Sequence, residues 1–200
     1  MISASSRGVA GIFVGGASRR MGGTPKGLLQ LRSGRTIVEE LADAAHAAAL
    51  EVVLVGRHPA YAALPFRSLA DAPGAHGPVA GLVALLTYAG DRTSVALACD
   101  APFITTALLT RLLDEPAAIA VAPRGRHGWE PFCARFASAE ALPEVARRHH
   151  AAISRLQDVL DALSTRTLQL SEEDARALRD WDSPEDVAHD IDSSRTGGRT

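Results

Sequence analysis

A glycine-rich segment follows the first apolar run of the chain. The run Val9–Val14 has the composition of a buried strand, and it ends at the adjacent glycines Gly15 and Gly16. Two glycines directly after a buried strand let the backbone turn tightly and approach a ligand closely. Consecutive backbone N–H groups in such a loop form a concave site for an anion. These residue types and their spacing therefore predict a loop that binds an anionic ligand.

Three basic side chains add positive charge to the same loop. Arg19 and Arg20 follow the paired glycines, and Lys26 lies near the end of the loop. Guanidinium groups bind phosphate oxygens through two parallel hydrogen bonds, whereas a lysine acts as a point charge. The P-loop pattern is excluded because Lys26 is followed by Gly27, and the dinucleotide pattern G-x-G-x-x-G is not matched at Gly15. We interpret the loop as a polyphosphate site; the alternative is an exposed, arginine-rich loop without a ligand.

Two aspartates are candidates for holding a metal ion. Asp100 directly follows the apolar run Ser94–Cys99, and Asp182 precedes Ser183 and Pro184 near the C-terminus. A carboxylate at the end of a buried strand is costly unless it is paired or binds a metal, and Mg²⁺ takes one or two carboxylates together with nucleotide phosphates. The alternative for Asp100 is a turn cap. Ser183 and Pro184 explain a helix start by themselves, which leaves Asp182 available as a second metal ligand.

A turn-rich segment, 71–78, offers a further polar site. It reads DAPGAHGP and leads into a run of helical spacing that begins near Val79. A helix N-terminus carries free amide donors and partial positive charge, and Asp71 can accept a hydrogen bond from a base or a ribose. His76 is interpreted as a loop histidine rather than a catalyst.

The remaining chemically capable residues are assigned structural roles. No base neighbours Cys99 in the sequence, so it is interpreted as a buried structural thiol. His149 and His150 end a helical run, where positive charge is favourable, and they are placed on the surface. The acidic run 172–174 is interpreted as the solvated start of a helix.

Short apolar runs alternate with segments of helical spacing. The predicted strands are Val9–Val14, Val52–Val55, Phe66–Ala70, Ser94–Cys99, Ala117–Ala122, Phe132–Phe136 and Thr165–Leu170. The predicted helices are Thr36–Leu50, Val79–Tyr88, a helix capped by Thr105 or Thr106 that ends at Asp114, Ala139–His149, Ile153–Leu163 and Pro184–Asp190. Apolar strands that alternate with helices indicate an α/β fold in three layers, with a mostly parallel sheet covered on both faces. Ligands of such sheets bind beyond the carboxyl ends of the strands.

Composition limits the class of protein. The chain has 200 residues, of which 46% are hydrophobic and 22% charged, and its formal net charge is −2. These values predict one domain over 8–192, with disordered termini at 1–7 and 193–200. The near-neutral charge and the 4% of aromatic residues do not indicate nucleic acid as a partner. No apolar run approaches the ~18 residues of a membrane helix, so we expect a cytoplasmic protein with no membrane partner.

Several segments, taken in order, resemble one enzyme family. They are Val14–Gly22 with Lys26–Leu29, Gly77–Leu82, Cys99–Phe103 and Asp182–Asp186. The first resembles the signature loop of nucleotidyltransferases with the GT-A-like fold. The others, GPVAGL, CDAPF and DSPED, are similar to the G-P-L-A-G-[ILM], C-D-x-P-[FY] and N-T-P-E-[DE] segments of the molybdenum cofactor guanylyltransferase (MobA-like) family. The resemblance covers most of the chain and implies the Rossmann-like, three-layer fold of nucleotide-diphospho-sugar transferases.

The resemblance implies which residues contact the nucleotide. The backbone of Phe13, Val14, Gly15 and Gly16 would approach the guanine and the phosphates of GTP, and Asp71 would also contact the nucleotide.

The resemblance also implies which residues assist the reaction. Asp100, with Asp182 as a second ligand, would hold Mg²⁺. Lys26 would contact the phosphates, and Arg20 and Lys26 would offset charge on the leaving pyrophosphate, with Arg19 a weaker candidate.

The implied reaction transfers GMP from GTP to the molybdenum–molybdopterin cofactor. Other molybdenum cofactor biosynthesis proteins or molybdoenzymes would be further partners. The alternatives are a cytidylyltransferase for this cofactor or a related small-molecule nucleotidyltransferase, and, from a different class, a non-catalytic nucleotide-binding adaptor. An oxidoreductase of the Rossmann type is disfavoured because the dinucleotide pattern is missing.

The chain departs from the family pattern at four places. Phe13-Val14 stands where the family has Leu-Ala, Asp182 where it has asparagine, and Glu130-Pro131 where it often has His-Pro. After the second predicted strand the chain reads Val55-Gly56-Arg57, without the family's polar residue. The acceptor is expected to bind along 124–136 and the helices after it.

Overall fold

The computed structural model describes residues 6–15, 25–74, 77–125 and 127–178. Its strands are β1 (Gly8–Phe13), β2 (Leu50–Val55), β3 (Arg67–Leu69), β4 (Thr93–Ala98), β5 (Ala120–Gly125), β6 (Gly128–Trp129), β7 (Cys133–Ala137) and β8 (Arg166–Leu168). Its helices are α1 (Ile37–Ala47), α2 (Pro78–Ala89), α3 (Thr106–Asp114), α4 (Ser138–His150), α5 (Leu156–Ala162) and α6 (Glu172–Ala177), with 3₁₀ turns at Lys26–Leu28 and Pro59–Tyr61.

The strands form one sheet in the order β3-β2-β1-β4-β7-β5-β6, and β8 also pairs with β5. Strands β3, β2, β1 and β4 are parallel, as are β5 and β8, whereas β7 runs antiparallel to both β4 and β5. The predicted mostly parallel sheet is therefore confirmed. Because β7 is antiparallel, its start lies beside the carboxyl end of β4, where ligands of parallel sheets bind.

Helices cover both faces of the sheet. Successive side chains of a strand point to opposite faces, and in β1 Ile12 belongs to one apolar core while Phe13 belongs to the other. The first core packs β1, β2 and β4 against α1 and α3, and the second packs the opposite face against α2, α4 and α5. The three-layer architecture is confirmed, and the two cores hold the strand ends in fixed positions.

Most predicted elements are confirmed, and the differences lie at boundaries. Leu50 begins β2 rather than ending α1, because Thr36 caps the helix with Glu39 and the helix ends at Ala47. Strand β5 starts later than predicted and continues into a hairpin with β6, which the sequence did not indicate. The predicted helix Pro184–Asp190 lies outside the described residues. No helix within the described ranges is long and apolar enough to cross a bilayer.

The acidic run 172–174 starts α6 as predicted, but one of its members is not solvated. Ser171 and Asp174 form a capping box, and Asp174 is 6% exposed because it also pairs with Arg111 on α3. Arg111 further donates to the Gln169 carbonyl at 2.6 Å. Asp174 therefore ties α6 to the layer formed by α1 and α3.

Replacing Asp174 with asparagine is expected to lower the free energy of unfolding by about 1–3 kcal/mol at neutral pH. Burial by itself raises the pKa of Asp174, but hydrogen bonds from Ser171 and Arg111 outweigh it and hold the pKa below its usual 3.8. A carboxyl with a lowered pKa stabilises the fold above its unfolded pKa, and this contribution is lost as pH falls through the folded pKa. Urea unfolding at pH 7 and at low pH measures it: the gap between wild type and Asp174→Asn should close in acid. The control is Glu172→Gln, which changes an exposed carboxylate on the same helix. Its free energy of unfolding should stay within about 0.5 kcal/mol of wild type at both pH values.

Candidate active site

A cleft of about 540 Å³ opens at the carboxyl ends of β1, β2 and β4. Its floor and one wall come from Phe13, Gly15, Val55, Asp71, Gly77, Pro78 and Gly81. The opposite side comes from Ala98–Ala101, Ile104, Glu130–Cys133 and Leu178. The place of the cleft agrees with the rule for parallel sheets, and four of the candidate residues from the sequence, Phe13, Gly15, Asp71 and Asp100, line it.

The end of β1 forms the floor of the cleft. Phe13 and Gly15 line it directly, whereas the Val14 side chain is 4% exposed and packs into the core. The Val14 backbone N–H donates to the Val55 carbonyl at 2.9 Å, which holds the end of β1 against β2. The other members of the predicted loop site, Gly16, Arg19 and Arg20, lie outside the described residues, and so does Asp182.

Helix α2 approaches this floor through a glycine. A Cβ on Gly81 would lie 2.8 Å from both the Phe13 ring and Val55 Cγ1, closer than side chains pack. Pro78 begins the helix, as proline is well tolerated at the first helical position. The N-terminal turn of α2, with its free amide donors, therefore lies against the ends of β1 and β2.

The structure brings together two candidates that are 74 positions apart in sequence. Lys26 Nζ lies 3.1 Å from Asp100 Oδ2, and the two side chains are 17% and 26% exposed. Lys26 begins the 3₁₀ turn that precedes α1, and Asp100 follows the end of β4. The pair thus places a positive and a negative charge in contact at the edge of the cleft, which Asp100 lines.

The backbone beside Lys26 is tightly held by a residue that the sequence analysis did not single out. Tyr61 is 3% exposed, and its hydroxyl accepts a hydrogen bond from the Gly27 N–H at 3.2 Å. A Cβ on Gly27 would lie 2.6 Å from Val38 Cγ2 and 3.0 Å from the Tyr61 hydroxyl oxygen, so only glycine fits. No local motif marks Tyr61; its role follows only from the packing of the turn Pro59–Tyr61 against residue 27.

The Cys99 thiol belongs to the same contact group and is not activated. Burial raises the pKa of Cys99 to about 11, and the adjacent Asp100 carboxylate raises it further. The thiolate is the nucleophilic form of cysteine, and at neutral pH Cys99 is a neutral thiol that hydrogen-bonds with Tyr61. The neutral thiol agrees with the structural role predicted from the sequence, although Cys99 is only partly buried and lines the cleft.

Replacing Tyr61 with phenylalanine is expected to lower the free energy of unfolding by about 1–3 kcal/mol, since it leaves the Gly27 N–H without its hydroxyl acceptor. Urea denaturation of wild type and Tyr61→Phe measures the difference. The matched control is Tyr88→Phe, which removes a hydroxyl that donates to Glu51 at the partly exposed surface. If both variants lost the same free energy of unfolding, the Tyr61 hydroxyl beside Lys26 would be no more important for stability than the Tyr88 hydroxyl at the surface.

The segment that carries Asp71 is fixed from two sides. The Ala72 N–H donates to the Ala80 carbonyl at 3.2 Å, and His149 Nε2 lies 2.9 Å from the Pro73 carbonyl oxygen. His149 is 4% exposed, so its predicted place on the surface is wrong. The last turn of α4 faces this segment rather than solvent, because α4 packs against α2. Asp71 itself is exposed and lines the cleft.

The donor set of the cleft fits a metal that is shared with a ligand. No group of three or more His, Cys, Asp or Glu side chains with metal-site geometry occurs in the part of the chain that the structure describes. A cage made of protein ligands alone is therefore not formed by these residues. Mg²⁺ typically takes one or two carboxylates, with phosphate oxygens and waters completing its octahedron. The Asp100 carboxylate at the mouth of the cleft meets that requirement.

Comparison with known proteins agrees with the architecture and the motifs. Residues 10–167 match the model of the MobA-like NTP transferase domain. A molybdenum cofactor guanylyltransferase of Desulfosudis oleivorans is 30% identical over 170 residues, which cover 84% of this chain and 82% of the relative. A molybdenum cofactor guanylyltransferase of Pseudomonas putida is 31% identical over 179 residues, covering 87% and 92% respectively.

Solved structures share the fold at lower identity. Molybdopterin-guanine dinucleotide biosynthesis protein A from Archaeoglobus fulgidus superposes with a TM-score of 0.76 at 22% identity, covering 92% of this chain and 98% of that one. The 2-C-methyl-D-erythritol 4-phosphate cytidylyltransferase of Thermus thermophilus gives a TM-score of 0.66 at 18% identity, with 94% and 100% covered. Sequence match, fold and cleft agree, and the chain belongs to the MobA-like NTP transferase family.

Proposed function

We propose that this protein transfers GMP from GTP to the molybdenum–molybdopterin cofactor, giving the guanine dinucleotide form and pyrophosphate. The observation that carries the proposal is the pair Lys26–Asp100 at the carboxyl ends of the strands, in a chain whose relatives are named molybdenum cofactor guanylyltransferases. In this proposal the pair would bind the phosphates and a metal next to each other.

The reaction needs no nucleophile from the protein. A terminal phosphate oxygen of the acceptor forms a bond to the α-phosphorus of GTP, the bond between the α-phosphorus and its bridging oxygen breaks, and pyrophosphate leaves. A neutral Cys99 thiol fits this mechanism, since no covalent intermediate on cysteine is required. Catalysis then rests on positioning and on offsetting charge.

The candidate residues from the sequence have proposed tasks. Asp100 would hold Mg²⁺, with Asp182 as a second ligand, and the ion would supply positive charge to offset that of the phosphates. Lys26 and Arg20 would offset charge on the leaving pyrophosphate, and Asp71 would accept a hydrogen bond from the nucleoside. Tyr61 acts indirectly, because it fixes the backbone of Gly27 next to Lys26.

The alternative functions differ from the proposed one in the nucleotide base, in the acceptor or in the absence of turnover. A cytidylyltransferase would use the same residues on CTP, and a small-molecule nucleotidyltransferase would differ in its acceptor. A non-catalytic adaptor has no need for a lysine and an aspartate side by side in the cleft. The proposed compartment is the cytoplasm, where free thiols such as Cys99 and Cys133 stay reduced.

Calorimetric titration with each of the four ribonucleoside triphosphates in Mg²⁺ tests the nucleotide half of the proposal. We expect selective binding of GTP, followed by formation of the guanine dinucleotide and pyrophosphate when the molybdenum–molybdopterin cofactor is supplied anaerobically. Selective binding of CTP would favour the cytidylyl alternative. Binding without product in the complete mixture would favour the adaptor.

A further inference from the structure

A buried histidine that the proposed mechanism does not use lies behind one wall of the cleft. His149 belongs to the last turn of α4 and is 4% exposed, whereas the next residue, His150, is exposed. Burying a polar ring is unfavourable unless its polar atoms find partners. The contacts of His149 therefore indicate what the ring does at this place.

The ring of His149 holds the backbone of the segment 71–74 at one point. Its Nε2 lies 2.9 Å from the Pro73 carbonyl oxygen, across 76 positions of sequence. A carbonyl oxygen only accepts, so Nε2 carries the proton and donates. Because proline has no N–H, Pro73 can take part in backbone hydrogen bonds only through its carbonyl, and His149 binds that group.

The end of α4 and the turn after it support this wall at two glycines. Gly74 has a φ of +112°, which favours glycine, and a Cβ added to it would lie 3.5 Å from His149 Nε2. Gly77, with a φ of +119°, lies against Ser154, whose Cβ would be 3.4 Å from a Cβ at position 77. Ser154 belongs to the connection between α4 and α5. The imidazole is thus in contact with the backbone that it holds.

The supported segment carries the candidate ligand of the nucleoside. Asp71 is exposed and lines the cleft. The next residue is attached to α2, because the Ala72 N–H donates to the Ala80 carbonyl at 3.2 Å, and the bond from His149 follows one position later. The apparent affinity for a ligand falls with the fraction of molecules whose site is arranged to bind it. The bond from His149 is therefore placed to keep Asp71 in a binding arrangement.

We propose, building on the proposed function, that His149 is a positioning residue for the nucleoside of GTP. Its Nε2–H holds the Pro73 carbonyl and thereby keeps Asp71 at the wall of the cleft, where Asp71 accepts a hydrogen bond from the base or the ribose. His149 lies behind the described lining of the cleft, so it acts through Asp71 and not on the nucleotide itself.

Calorimetric titration with GTP and Mg²⁺ compares wild type, His149→Leu and His149→Gln. Leucine fills a similar volume without a donor and should weaken GTP binding by about 10-fold, the effect of one lost hydrogen bond. Glutamine places an amide N–H close to the position of Nε2 and should recover most of that loss. If thermal unfolding shows that the leucine variant does not fold, His149→Asn, whose amide ends short of that position, takes its place.

Two further measurements separate positioning from a general loss of structure. Inorganic tripolyphosphate with Mg²⁺ probes the phosphate site without a nucleoside, so its affinity should change by no more than about twofold in His149→Leu. In an Asp71→Ala background, His149→Leu should cost no further GTP affinity, whereas its cost in the free energy of unfolding should persist. The matched control is His150→Leu at the exposed neighbouring position, which should bind both ligands as wild type does.

Wild-type binding decides the proposed function, and the variants decide the role of His149. If wild type binds GTP selectively and His149→Leu binds it equally well, the positioning role is overturned and the guanylyl reaction stands. The role is also overturned if His149→Leu weakens GTP and tripolyphosphate alike, or if its effect on GTP affinity is the same in Asp71→Ala. If wild type selects CTP, the proposed base is wrong, and the same comparison with CTP decides the role of His149. If wild type binds no triphosphate, the proposed function and this inference both fail.

Discussion

Replacing Asp100 with asparagine is expected to lower turnover by at least about 10²–10³-fold, equivalent to about 3–4 kcal/mol in the barrier. In the proposed mechanism Asp100 is the described carboxylate that would hold Mg²⁺, and an amide is a weaker ligand because it carries no charge. Turnover should recover in part at raised Mg²⁺ concentration, because the remaining ligands still bind the ion weakly. Pyrophosphate release at several Mg²⁺ concentrations measures both effects.

The stability of this variant separates a functional loss from a structural one. Asp100 is partly exposed and its described ion pair is with Lys26, so the substitution should change the free energy of unfolding by no more than about 1 kcal/mol. Asp91→Asn, an exposed carboxylate in the turn between α2 and β4, is the matched control and should turn over normally. Normal turnover by Asp100→Asn at low Mg²⁺ would contradict the metal assignment.

The fold was predictable because its signal is local. Strands such as β2 and β4 are continuous apolar runs, and α1 and α3 begin at threonine caps that the chain itself supplies. The alternation of strands and helices predicts a parallel sheet, and a parallel sheet binds its ligands at the edge formed by the carboxyl ends of the strands. Asp100 directly follows β4, so its place at this edge was predictable, whereas Lys26 comes 13 positions after β1 ends and its contact with Asp100 is seen only in the structure. β6 was missed because two residues carry no periodicity.

The residues that support the site were not predictable, because their roles depend on packing between distant segments. Tyr61 contacts Gly27 across 34 positions, and nothing near either residue in the sequence indicates that contact. His149 was misplaced because the general preference for positive charge at helix ends says nothing about which face the last turn presents. The space that Gly125 leaves for Glu130 depends on a hairpin that was itself not predicted. Local sequence patterns thus indicate which residues could bind the ligand, and tertiary contacts determine how those residues are arranged.

Replacing Lys26 with methionine is expected to lower kcat/KM for GTP by about 10²-fold or more. Lys26 is the sole lysine in a chain that otherwise uses arginine as its basic residue. The side chain is 17% exposed and lies beside the tightly packed Gly27, where a compact ammonium group fits better than a broad guanidinium. Methionine keeps the length and apolar stem and removes only the charge, so steady-state kinetics report the charge alone. Lys26→Arg should recover part of the loss, because it restores the charge with a different shape.

The sole lysine also allows a direct measurement of the contact. Reductive methylation with ¹³C-formaldehyde keeps the positive charge and labels Lys26 and the N-terminal amine, which give separate NMR signals. Adding GTP with Mg²⁺ should shift the Lys26 signal, because the phosphates replace or share the Asp100 carboxylate as its neighbour. Arg176→Met, which removes an exposed positive charge on α6, is the control for the kinetic effect and should turn over normally. Two results would contradict a contact between Lys26 and the phosphates: a Lys26 signal that does not shift at saturating GTP, or a Lys26→Met variant whose kcat/KM is within about threefold of wild type. The arginines of the preceding loop would then have to offset the charge on the leaving pyrophosphate.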